Sequence, residues 1–87
     1  MDKSAIIEEI EAIVKRAGVS YSSWTIGVTD DTVRRKDEHS KDHKVTSWRD
    51  WNADSEKDAR EIEEYFKDKG MKGGLGGPGS ADYVYIF

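Results

Sequence analysis

The chain has 87 residues, 37% of them charged and 36% hydrophobic, with a formal net charge of -4 and a pI near 5.1. That length fits one domain (1–87) with one thin core, and the acidic balance argues against a whole-molecule electrostatic grip on nucleic acid. The absence of cysteine excludes a disulfide framework, thiol chemistry and thiolate metal sites, in keeping with a reducing compartment.

The start, MDKSAIIEEIEAIVKRAG, carries an apolar stripe broken by acids, so it reads as neither a secretory signal nor a membrane span, and a cytoplasmic location is expected. Within it Ile6, Ile7, Ile10, Ile13, Val14 and Ala17 recur at spacings of three and four, which predicts an amphipathic helix over 4–17 within the unit 1–18. Gly18 supplies the stop, and Lys15 and Arg16 complement the helix dipole in the last turn. Next, WTIGVT (24–29) alternates Trp24, Ile26 and Val28 against Thr25, Gly27 and Thr29 and reads as a strand. Gly27 inside it signals a bulge or a close approach by another backbone or a ligand. Asp30 or Asp31 then caps a short helix over 32–39, whose one strong apolar residue is Val33. A loop at 40–44 leads to a second strand over 45–51, and Ser55 with Asp58 announces a helix running to Lys69, stopped by Gly70. A glycine-rich loop (70–80) and a strand (81–87) complete the chain.

Several residues invite chemistry. In the helix after Ser55, Ala59, Ile62 and Phe66 define the apolar stripe and Glu63 borders it. A carboxylate there must reach water, a cation or a metal, because an unpaired buried charge is costly. Arg34 and Arg35 follow a strand end, and a guanidinium grips phosphate with two donors. Between Arg34 and Arg49 the cations outnumber the acids, which concentrates positive charge in the middle third. His39 and His43 are four apart, but without a third ligand at matching spacing they read as packing residues rather than as zinc ligands. The glycines of 73–79 precede a strand, whereas phosphate loops precede a helix, so a nucleotide-binding reading trails. Of Trp24, Trp48, Trp51, Tyr21, Tyr83 and Tyr85, most are expected in the core, because a small domain needs bulky side chains, and exposed ones could stack on bases.

Taken together, Ile26-Gly27-Val28-Thr29-Asp30-Asp31, Arg35 and His39 at the helical spacing that follows, and Glu63 in a later helix resemble the GIY-YIG endonuclease domain, over a core of residues 24–69. The resemblance implies an α+β fold with a small, mainly antiparallel three-stranded sheet flanked by about three helices. It also implies Arg35 as phosphate ligand, Glu63 as ligand of Mg or Mn, and His39 among the catalytic residues. Thr25 stands where the family carries a tyrosine before Ile-Gly. The strand Tyr83-Val84-Tyr85 is expected to take the place of the family's first strand, returning Tyr85 as the catalytic tyrosine that orients water near the metal.

The expected function is therefore metal-dependent cleavage or binding of nucleic acid by a cytoplasmic monomer. The alternative is a catalytically inactive protein-interaction module on the same scaffold, with an unidentified protein as partner.

Overall fold

The computed structural model describes residues 1–32, 36–37, 48–73 and 82–87. Helix α1 (Lys3–Ala17) turns Ile6, Ile10 and Val14 fully inward, with Ile7 and Ile13 packed beside them, while Ala17 at the end of the stripe is exposed. It ends on Gly18 at φ 72°, a left-handed position where glycine escapes the Cβ penalty. A single 3-10 turn (Tyr21–Ser23) leads into strand β1 (Thr25–Thr29). Beyond β1, the hydroxyl of buried Thr29 accepts from the Asp31 amide and donates to the Asp31 carbonyl, which closes the turn. Thr32, Lys36 and Asp37 are helical, and the rest of the helix expected over 32–39 lies outside the described residues.

Strand β2 (Arg49–Asn52) buries only Trp51. Helix α2 (Glu56–Asp68) starts at Ser55, whose hydroxyl accepts from the Asp58 amide at 3.1 Å, and buries Ala59, Ile62 and Phe66. Two residues of strand, β3 (Lys72–Gly73), follow, and β4 (Tyr83–Ile86) comes last.

The fold is α+β, as expected, but the sheet differs from the expectation. It has four strands in the order β2-β4-β1-β3 and is mixed: β4 pairs antiparallel with both β1 and β2, while β3 runs parallel to β1 through Thr25↔Lys72 and Ile26↔Gly73. Hence the expected three-stranded antiparallel sheet corresponds to β2-β4-β1 only. The expectation missed β3 because two residues in a glycine-rich stretch carry no alternation; the turn at Gly70 (φ 116°) after α2 delivers them beside β1. Among the described residues two α-helices flank the sheet, in place of about three. The second strand, expected over 45–51, covers Arg49–Asn52 within the described residues.

Successive side chains on a strand point to opposite faces. Ile26, Val28, Trp51, Val84 and Ile86 share one buried cluster with Ile6, Ile10, Val14, Ala59, Ile62 and Phe66, so α1 and α2 cover that face. The two helices also join each other, through Tyr65 to Glu11 (3.1 Å), Lys69 to Glu11 (3.7 Å) and Lys3 to Glu61 (3.2 Å). Thr25, Gly27, Thr29, Tyr83, Tyr85 and Phe87 take the opposite face.

Candidate functional site

The resemblance attaches to β1 and to its neighbour β4. Thr25 and Phe87 exchange both backbone hydrogen bonds (2.8 and 3.0 Å), and from there the register runs regularly through Ile26↔Ile86, Gly27↔Tyr85, Val28↔Val84 and Thr29↔Tyr83. No residue of β1 is left over, so Gly27 marks no bulge. It marks a close approach instead: a Cβ built on Gly27 would overlap the Cζ and hydroxyl of Tyr85. The Tyr85 ring therefore lies down across β1, in the one place where the neighbouring strand has no side chain. The close approach expected at Gly27 is made by a side chain rather than by a backbone or a ligand.

The other side of this ring is also occupied. The Trp48 indole stacks on Tyr85 with centroids 4.6 Å apart and planes 8° apart, and on Phe87 at 5.7 Å and 11°. Tyr85 and Phe87 are themselves nearly parallel, with centroids 6.1 Å apart and 11° between planes. The Trp48 indole N–H donates to Asp50 Oδ2 at 2.7 Å, and Arg49 Nη1 donates to the Trp48 carbonyl at 3.2 Å, both on the exposed surface. Tyr85 has no exposed area as a result of this layering and its other contacts. Beside Phe87 a recess of about 260 Å³ opens, lined also by Ala17, Val19, Ser23 and Trp24.

Glu63 sits in the opposite layer. It follows Ile62 on α2 and lies on the flank away from Tyr65, hence away from α1. The side chain is half-buried, and this desolvation pushes its carboxyl above the usual range, with Lys67 and Arg60 pulling back down and Glu64 adding to the rise. Arg60 reaches back along the same flank to Glu56 Oε2 at 3.9 Å. Glu63 is thus a carboxylate with a protonation bias and cations within one helical turn. Among the described residues no group of three or more His, Asp or Glu is placed to hold a metal ion.

Of the four residues expected to form the site, the structure describes Tyr85 and Glu63, while Arg35 and His39 lie outside the described residues, as does His43. Tyr85 is brought to Gly27 of the motif strand; it points to the face opposite the helix that carries Glu63. Sequence reasoning counted Trp48 among the aromatics that pack or stack, and left Phe87 out of that group, but did not foresee that the indole covers Tyr85 and Phe87. The signal for it was the aromatic alternation Tyr83, Tyr85, Phe87, which announces a ring-lined sheet face in need of a cover. Among the described residues no helix is long and apolar enough to cross a membrane. Comparison of the chain with protein-family models, with curated proteins and with solved structures returns no match.

Proposed function

We propose that the chain is a GIY-YIG-like domain that binds nucleic acid and cleaves it with Mg or Mn. The observation that supports this reading is the seating of Tyr85 against Gly27 in the strand next to β1. It gives the Ile-Gly strand an antiparallel neighbour with a tyrosine, although Thr25 holds the family's usual tyrosine position. Magnesium is commonly held by one or two carboxylates, with water and substrate phosphate filling the other positions, so the single glutamate Glu63 suits it. The bound metal would supply charge neutralisation at the phosphate and a more acidic water. The chain's own residues would do the rest. Arg35 would grip the phosphate oxygens with its guanidinium fork and His39 would move the proton, whereas Tyr85, on the sheet face opposite the helix of Glu63, does not take the water-orienting role that the resemblance implies for it.

The test is incubation of the protein with supercoiled plasmid, branched DNA and single-stranded DNA in Mg or Mn. Cleavage is expected from the wild type, with its loss in Glu63→Ala and a decrease of roughly a hundredfold in His39→Ala, the scale of one positioned proton-transfer group. Absence of cleavage by the wild type on every substrate would overturn the enzymatic reading. The second reading, an inactive protein-interaction module on the same scaffold, is favoured by one observation: the Tyr85 side chain has no exposed area.

A further inference from the structure

We propose that Tyr85 and Phe87 form a stacking platform for an unpaired nucleobase, and that Trp48 closes this platform as an intramolecular substitute for the base. The inference rests on the nucleic-acid reading above and names the part of the substrate that the β4 face takes.

Two aromatic residues at alternate positions of a strand present their rings on one sheet face. Here the rings are nearly parallel, 11° apart, and Gly27 lets the Tyr85 ring lie low against β1. A floor of this kind accepts any planar ring, because every base offers a π-face and stacking is tolerant of sequence. What lies on it is a bicyclic aromatic of about purine size, the Trp48 indole, parallel to both rings within 11°. Exchanging one stacked ring for another keeps the platform itself covered, so the exchange costs the burial of the displaced indole and not that of Tyr85 and Phe87.

One hydrogen bond of Trp48 is also of a kind that yields. Its indole N–H bond to Asp50 is at the surface, where water competes for both partners. The other tryptophan of this region, Trp51, differs on both counts: it faces the helices, is buried, and reaches Glu9 of α1 at 3.3 Å. Arg49 places an exposed guanidinium at the Trp48 carbonyl, where a backbone phosphate of the stacked nucleotide would find a cation. Displacement of Trp48 would bring the base onto the face of the Tyr85 ring that the indole now holds.

The experiment is fluorescence anisotropy with a fluorescein-labelled oligothymidylate of about a dozen nucleotides in EDTA, comparing wild type, Trp48→Ala and the double variant Trp48→Ala/Phe87→Leu. Trp48→Ala is expected to bind about tenfold more tightly than the wild type, the scale of one stacked base, and the double variant to lose that gain. In parallel, the indole N–H resonances of the wild type are followed by NMR as the oligonucleotide is added. The Trp48 signal is expected to move as its bond to Asp50 opens, with those of Trp24 and Trp51 in place. Equal or weaker binding by Trp48→Ala overturns the proposal, weaker binding making Trp48 itself the contact. Should Trp48→Ala fail to fold, the wild-type resonance decides, and an unmoved Trp48 signal at saturation overturns the proposal. Wild-type binding to DNA without a gain in Trp48→Ala defeats this inference alone. Absence of binding by both proteins to single-stranded, branched and plasmid DNA defeats the nucleic-acid reading with it.

Discussion

Gly27 works through the side chain it lacks. Because the Tyr85 ring occupies the volume in which a Cβ would stand, and Trp48 lies on the outer side of that ring, an added methyl has no soft neighbour to displace. Gly27→Ala is expected to lower stability by about 1–3 kcal/mol, the usual cost of overpacking, as read by urea denaturation. A smaller cost in Gly27→Ala/Trp48→Ala than in Gly27→Ala, each against its own parent, would identify the stacked indole as what prevents relaxation. Glu63 makes the opposite case, a side chain whose charge opposes folding. Its folded-state pKa is raised by burial, so the folded chain holds the proton more tightly than the unfolded chain does. That contribution to stability is complete at pH values below the unfolded carboxyl and is lost as pH rises through the folded one. Glu63→Gln is therefore expected to raise the melting temperature at neutral pH, with the gain shrinking as pH falls below the ordinary glutamate range. Thermal unfolding across pH would show a constant difference if Glu63 were unperturbed.

At the scale of elements, the helices are the best-specified parts of the chain, and for local reasons. The Ile/Val stripe of α1, the glycine that ends it and the Ser55–Asp58 start of α2 each depend on residues within one or two turns, and the structure has all three. The Ser55 cap satisfies one otherwise open amide, so Ser55→Ala is expected to cost about 1 kcal/mol, measured by chemical denaturation, with a Ser55→Asp control retaining most of the stability. Strands were legible in proportion to their apolar alternation. β1 and β4 alternate over their whole length, and both are present. β2 offers a single buried residue, Trp51, between Asp50 and Asn52, which left its limits indistinct. β3 exists only because α2 ends beside β1, a condition no two-residue segment can encode. The candidate site divides in the same way. The position of Glu63 at the border of a helical stripe follows from the 3.6-residue period and is what the structure has. The burial of Tyr85 follows from which strand lies next to which, and from a tryptophan far away in sequence.

At the scale of the whole molecule, both helices and three of the four strands feed one buried cluster on one side of the sheet, while the other side carries the aromatic layer of Tyr85, Phe87 and Trp48. The two faces thus divide the tasks: the helical face supplies most of the apolar burial that holds so short a chain together, and the aromatic face is where the proposed ligand enters. Charge follows no such division, since the ion pairs among the described residues are surface contacts of the weak kind. The strand order also governs how the molecule is made. β4 is the last of the four strands in chain order and lies between β1 and β2, giving each of them its antiparallel partner. During synthesis β1 and β2 both emerge before α2 and β4, so each waits without its antiparallel partner. The antiparallel sheet closes only when Tyr83–Ile86 leaves the ribosome and pairs with both, so the apolar residues of β1 and β2 stay open to association until then.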